Sequence, residues 1–182
     1  MREIKINMGC GARDFGPDWV HIDGGDYPHL NSKDITKLPY DDNTVDLIYA
    51  SHVLEYFSRE EVNGVLQEWF RVLKKGGILR LAVPDFESMA NLYVKKEMNL
   101  RYFLGPMYGR MKMGDVFIYH KTTYDLDNLT DVLSEAGFTS INEYDWRDYE
   151  VHVNHDDHSQ AYIPHMDKEN GVLISLNVEA TK

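Results

Sequence analysis

Two glycines flank a cysteine straight after the first hydrophobic run of this sequence, Lys5-Ile6-Asn7-Met8-Gly9-Cys10-Gly11-Ala12-Arg13. Ile4, Ile6 and Met8 alternate as a short strand does, and the chain then enters the glycine pair. Glycine has no Cβ, so the backbone can turn sharply there and offer its N–H groups to a nucleotide-like ligand. A tight turn without a ligand has the same spelling. A second candidate is Asp23, which closes the run Trp19-Val20-His21-Ile22 before Gly24-Gly25. A carboxylate at that place can accept both hydroxyls of a ribose lying across the strand ends; a turn aspartate before two glycines looks the same. A third is His152-Val153-Asn154-His155-Asp156-Asp157-His158, with His165 and Asp167 beyond. Imidazoles three residues apart suit one helix face, and imidazole with carboxylate is a Zn²⁺ donor set. The segment lacks the apolar pattern of a helix, however, so no metal is assigned. Recognition of a polar acceptor, or a solvated loop, are the competing readings.

These residues need a scaffold that brings strand ends together. The 182 residues carry 43% hydrophobic and 27% charged side chains, ordinary for one globular domain with a full core. Strand-like runs fall at 3–8, 19–23, 31–40, 45–51, 78–83, 139–146 and 171–180. Ser58 is placed to cap a helix running to Leu73, with Val62, Val65, Leu66, Trp69, Phe70 and Leu73 as its core stripe. Lys74, Lys75 and Gly76-Gly77 end it. Asp85 can cap a second helix through about Met98, and Asp125 a third through Ala136. Strands alternating with helices give an α/β, Rossmann-like, mostly parallel seven-stranded sheet with helices on both faces. The last two strands have no helix between them, so the last one should be antiparallel. Residues 99–124 lose periodicity and read as an irregular cap. The long loop 147–170 leaves the edge that carries the glycine turn, where open sheets bind ligands.

A net charge of −11, from 19 basic and 30 acidic residues, argues against nucleic acid and anionic membrane as partners. The single cysteine, Cys10, allows no internal disulfide and suits a reducing compartment. The start has no apolar signal-peptide region, and no apolar run approaches the ~18–20 residues that span a bilayer. The expectation is a cytoplasmic, soluble protein.

The assembled stretches resemble class I S-adenosylmethionine (SAM)-dependent methyltransferases. They are Ile6 to Gly11, Ile22-Asp23, Asp34 to Tyr40, Val45 to Phe57 and Arg71 to Arg80, in the family's order and over the first half of the chain. The tail, His165 to Gly171 with Leu173 to Glu179, resembles a small methyltransferase branch often associated with surface-polysaccharide genes. The resemblance implies SAM as cofactor and a methyl acceptor that is a small polar molecule, with a sugar or glycoconjugate hydroxyl as one class. It implies that Gly9, Cys10 and Gly11 approach the cofactor through backbone and that Asp23 holds its ribose. Asp34 and the Ile35 N–H would meet the adenine; Ser51 and His52 would lie by the methionine end and the methyl. The family often has an acidic residue where Asn7 stands, and Asn7 can still accept from the ammonium. Arg13 could pair with the cofactor's carboxylate. The helix that normally precedes the first strand is missing, so 99–124 and 147–170 are candidates for the lid.

Methyl transfer from a sulfonium is an in-line displacement, and a hydroxyl acceptor must also lose a proton. His52 and then His120 are the candidate bases at the strand ends. Orienting the cofactor and capping the 125–136 helix are their respective alternatives. Asp85 is better read as a helix cap. A SAM-binding regulatory or partner subunit without catalysis is the second hypothesis. A nicotinamide enzyme is the third, but the loop lacks Gly-x-Gly-x-x-Gly and Asp23 follows Gly9 too closely.

Overall fold

The computed structural model describes residues 2–182. Its main sheet has six strands: β1 (Lys5–Met8), β2 (Trp19–Ile22), β3 (Val45–Ser51), β4 (Leu73–Pro84), β7 (Thr139–Glu143) and β10 (Ser175–Thr181), in the order β2-β1-β3-β4-β10-β7. The first four are mutually parallel. β10 is antiparallel to β4 and to β7, between which it is inserted. The helices are α1 (Val62–Val72), α2 (Phe86–Val94), α3 (Leu104–Tyr108), α4 (Leu126–Glu135) and the one-turn α5 (Val151–Asn154). Two small hairpins complete the chain: β5 (Met111–Met113) with β6 (Val116–Ile118), and β8 (Tyr162–Ile163) with β9 (Val172–Leu173).

Strand alternation sorts the residues between two faces. Ile6, Met8, Ile48, Ala50, Leu79, Leu81 and Val178 form one core with α1 and α4. α1 presents Val62, Val65, Leu66 and Trp69 to it, and its start is fixed by a capping box. Ser58 N donates to Glu61 Oε2 at 2.7 Å and Glu61 N to Ser58 Oγ at 3.3 Å. Asp125 caps α4 and Asp85 caps α2 through their carboxylates, as their sequence positions suggest. The opposite face alternates Asn7, His21, Tyr49, Arg80, Asn177 and Glu179.

Several expectations change. The sheet has six strands rather than seven, because residues 31–40 do not pair beyond one bridge, Ile22 to Ser32. Most side chains of 31–37 are exposed, and Asp34 folds back on its own turn. Nor do full helices cover both faces. Over the polar face lie Phe15, Tyr144, Tyr149 and α5, with Tyr149 stacked 3.3 Å from the Arg80 guanidinium and His152 against Tyr49. A polar face that pairs with buried histidines and tyrosines does not need an apolar helix stripe. α1 ends at Val72, before the lysines; Gly76-Gly77 instead bend β4, where a Cβ on Gly77 would lie 2.8 Å from the Lys74 carbonyl oxygen. α2 stops at Val94, four residues early, and packs Met89 and Leu92 against Phe103, Ile163 and Ile174. Part of the supposedly irregular cap is the β5–β6 hairpin, turning at Gly114 with φ +60°.

Candidate active site

β1 delivers its C-terminal end into the glycine turn. Gly9 and Gly11 have φ of +64° and +55°, the left-handed region that glycine occupies without strain. Gly9 N donates to the Ile22 carbonyl oxygen at 2.7 Å, which ties the turn to the end of β2. Asp23 follows β2 directly and is buried. Its Oδ2 accepts from Gly11 N at 2.8 Å and its Oδ1 from Gly25 N at 2.6 Å. Each oxygen keeps a further lone pair. The carboxylate therefore both shapes the turn and stands beside it ready to accept from a ligand. Asn7, 2% exposed, directs its amide Nδ2 to the Arg13 carbonyl oxygen at 3.4 Å and so steadies the far limb of the turn. Cys10 is buried, and burial pushes its thiol up to about 12, so it approaches any ligand as a neutral group and through its backbone.

Asn7, Gly9, Cys10, Arg13, Tyr49, Ser51, Asp157 and His158 line one recess at the C-terminal edge of the sheet. Five of the sequence-derived cofactor residues thus converge with Tyr49, Asp157 and His158. Ser51 ends β3 and lies 3.4 Å from Asp157 Oδ1. Arg13 Nε donates to the Asp156 carbonyl oxygen at 2.7 Å. Asp34 and Ile35 stand outside this recess. Asp34 Oδ1 receives the Thr36 N–H, the Thr36 hydroxyl and the Lys37 N–H, and those bonds hold its carboxyl below the usual range. The Ile35 carbonyl oxygen accepts from buried Trp69 Nε1 at 2.9 Å. The segment runs on from the Ser32 bridge beside the end of β2, so both residues remain on the edge that carries Asp23.

Residues 155–158 fill the space in front of the glycines. Asp157 is seated by the Tyr49 hydroxyl at 2.6 Å and by Ser159 N and Oγ at 2.8 and 2.6 Å. The recess left between this strap and the turn is about 10 Å³, room for one water. The donor set fits SAM: glycine backbone, a buried carboxylate, an amide and an arginine. Its volume requires the strap to swing away. The histidines of the strap diverge. His152 lies under Tyr49, His155 stacks on Phe15 with centroids 4.8 Å apart, and His158 faces His52 at 5.2 Å. Among the described residues, no group of three or more His, Cys, Asp or Glu is placed to hold a metal ion.

His52 and His120, distant in sequence, are brought together by Glu55, which the sequence did not single out. Glu55 sits in the 3-10 turn Leu54–Tyr56, fully buried. Its Oε1 lies 3.3 Å from His52 Nδ1 and 3.7 Å from His120 Nε2. Burial pushes its carboxyl up to about 8 and pulls both imidazoles below their ordinary value. The readable signal was one acidic residue inside an otherwise apolar run, Val53-Leu54-Glu55-Tyr56-Phe57. Asp157 and Tyr49 were likewise not distinguished from their neighbours. A larger groove of about 620 Å³, lined by Tyr93, Val94, Met98 and Tyr102 among others, shares no residue with this site.

A family model described as "Methyltransferase domain" matches residues 17–81, which span β2, β3, α1 and most of β4. Comparison with curated proteins gives no match. Among solved structures, a SAM-dependent methyltransferase from Archaeoglobus fulgidus is 14% identical with a TM-score of 0.58, over 99% of this chain and 86% of that one. The Burkholderia thailandensis 1,6-didemethyltoxoflavin-N1-methyltransferase, solved with S-adenosylhomocysteine and 1,6-didemethyltoxoflavin, is 12% identical with a TM-score of 0.56, over 98% and 70%. A Haloferax volcanii protein solved with the Trm112 methyltransferase activator is 14% identical with a TM-score of 0.56, over 99% and 82%. At these identities the likeness is one of fold.

Proposed function

We propose that this chain, an enzyme that takes methyl groups from SAM, delivers them to the oxygen of a small polar acceptor, a sugar or glycoconjugate hydroxyl. One observation carries the site: Asn7, Gly9, Cys10 and Arg13 meet Ser51 at a single recess, with the Asp23 carboxylate one hydrogen bond behind Gly11. When bound, SAM supplies a methyl group already activated on a sulfonium. Gly9, Cys10 and Gly11 would hold it through backbone, Asp23 at the ribose, Asp34 and Ile35 at the adenine. Asn7 and Arg13 would meet its amino-acid end, and Ser51 and His52 the methyl side. The chain's own work is then alignment, up to ~7–11 kcal/mol, and removal of one proton, ~10²–10⁴-fold. The buried pair His52 and His120 beside the recess supports an acceptor that must lose a proton, as a hydroxyl does. The carbohydrate class is supported by the tail resemblance at 165–179.

Isothermal titration tests the site. Wild type should bind SAM at micromolar concentration, and Asp23→Ala should lose about tenfold or more, because a charge-assisted hydrogen bond disappears. No binding by wild type overturns the cofactor site. A carbohydrate panel read by mass spectrometry, looking for the gain of one methyl, tests the acceptor.

A second reading, a SAM-binding subunit that works with a partner, is favoured by an exposed apolar surface. Tyr93, Leu104, Tyr108, Val116 and Phe117 are all exposed on α2, α3 and the β5–β6 hairpin, and the Haloferax volcanii neighbour was solved with an activator. Methyl transfer by the purified chain alone would dismiss it.

A further inference from the structure

The hydrogen bonds around Glu55 fix where the protons of its two histidines sit. Asn177 Nδ2 donates to the Ser159 carbonyl oxygen at 2.9 Å, so Asn177 Oδ1 faces Ser175 and receives its hydroxyl proton at 3.1 Å. Ser175 Oγ then has only lone pairs for His52 Nε2, 3.2 Å away, and that nitrogen carries the hydrogen. His52 Nδ1, 3.3 Å from Glu55 Oε1, is left without a hydrogen. On the other side, His120 Nδ1 lies 2.8 Å from the Pro106 carbonyl oxygen, which can only accept. His120 Nε2, beside Glu55, is therefore also left without a hydrogen. Neither carboxyl oxygen of Glu55 has a hydrogen-bond partner. A buried carboxylate beside two ring nitrogens that offer it no hydrogen would be an unpaired charge, and that favours the protonated carboxyl.

We propose that Glu55 holds this proton and that its loss turns His52 into the general base, which makes Glu55 the positioning residue that sets the His52 tautomer. With the proton in place, His52 Nε2 bears hydrogen and has no lone pair. An ionised Glu55 draws that hydrogen to Nδ1 and leaves Nε2 with a lone pair, which can take the acceptor's proton once Ser175 Oγ, 3.2 Å away, gives place. In the transfer step the acceptor O–H bond breaks and its proton goes to Nε2. The oxygen's electron pair forms the O–CH₃ bond, and the C–S bond breaks with its pair staying on sulfur. The resulting imidazolium faces the Glu55 carboxylate.

The other groups around Glu55 are Tyr56 on its own turn, Tyr124 before α4, and, behind His52, His158 of the strap and Arg13 of the glycine turn. The Lys121 ammonium is turned away to Glu61 at 2.8 Å. No cation inside the site therefore pairs with the ionised carboxylate, and burial holds the carboxyl up to about 8. Resting on the cofactor reading, the switch is biased by charge: a sulfonium arriving at the recess by Ser51 and His158 favours the ionised form, whereas the uncharged thioether of S-adenosylhomocysteine does not.

Two measurements decide it. In ¹⁵N-histidine NMR of wild type at pH 6.5, His52 should carry hydrogen on Nε2 and His120 on Nδ1. Both rings should then shift with one shared midpoint near pH 8. Glu55→Gln, a neutral donor and acceptor, should keep both tautomers and abolish that titration. Hydrogen on His52 Nδ1 at pH 6.5, or two rings with unrelated midpoints, overturns the proposal, and this wild-type titration decides even if the variant does not fold. Calorimetry at pH 7.5 in two buffers of different ionisation heat should show more proton release with SAM than with S-adenosylhomocysteine, and no difference in Glu55→Gln. Equal release by wild type overturns the charge bias. Failure of both ligands to bind overturns the cofactor reading, while the NMR titration still decides the tautomer switch.

Discussion

Gly9 is constrained in two independent ways. Its φ of +64° disfavours any L side chain, and a Cβ there would overlap Val53 Cγ2, which belongs to the core under α1. Gly9→Ala should therefore cost about 2–4 kcal/mol of stability, combining backbone strain with an overpacked contact, and should weaken SAM binding at the same time. Denaturant unfolding and titration calorimetry check the two effects. Gly109 is constrained by chemistry instead: its φ is +46°, and a Cβ would overlap the His120 ring. Gly109→Ala should push His120 out of contact with Glu55. The ¹⁵N signals of His120 should then move toward those of a solvated histidine, while the core strands keep their hydrogen-exchange protection.

The strap around α5 is the element on which access depends. It is held down by a few named bonds, chiefly Tyr49 to Asp157 and Arg13 to the Asp156 carbonyl oxygen. Tyr49→Phe removes a hydrogen bond to a charged acceptor, worth about 1.5–3 kcal/mol, and leaves the aromatic packing on Phe15 and His152 in place. Amide exchange at 152–160 should accelerate and SAM should associate faster; unchanged exchange there would show that the strap is held by other contacts. The elements differ in how legible they were. The turn at Gly9 and Gly11, the strand end at Asp23, the caps at Ser58, Asp85 and Asp125, and the α1 stripe up to Phe70 are local patterns, set by residues a few positions apart, and stand in the structure where the sequence places them. Residues 31–40 read equally as a strand or an extended loop, and the loop is what forms: Ile35 and Leu38 pack on α1 from it, which gives apolar spacing without a ladder. Glu55 and Asp157 became visible only in three dimensions. His120 and Tyr49 reach them from 65 and 108 residues away, and no period in the sequence encodes a contact of that kind.

Across the whole molecule, buried titratable groups of opposite kind set the pH at which the fold is strongest. His21, His52, His120, His152 and His158 are all held below the ordinary histidine value, with burial the largest cause. The geometry agrees for His21, whose Nε2 accepts from Phe15 N at 2.8 Å and so must be unprotonated. Below about pH 6.5 the unfolded chain binds protons that these folded rings refuse, so stability falls as pH falls. Glu55 acts in the other direction. Its folded carboxyl keeps a proton up to about 8, whereas the unfolded one loses it near 4.5. Its contribution is fully present below 4.5 and is lost as pH rises through 8. Five histidines outweigh one glutamate on the acid side, and Glu55 prevails only above about pH 7, where the unfolded histidines have largely lost their protons. The melting temperature should therefore peak near pH 7, then fall toward pH 8.5 by up to about 2–4 °C, the equivalent of about 1 kcal/mol or less for a chain of this size. Glu55→Gln has no carboxyl to ionise and should flatten only the alkaline limb, leaving the acid limb intact. An alkaline limb that persists in that variant would mean that Glu55 is already ionised at neutral pH, and the buried proton would have to be assigned to a histidine instead.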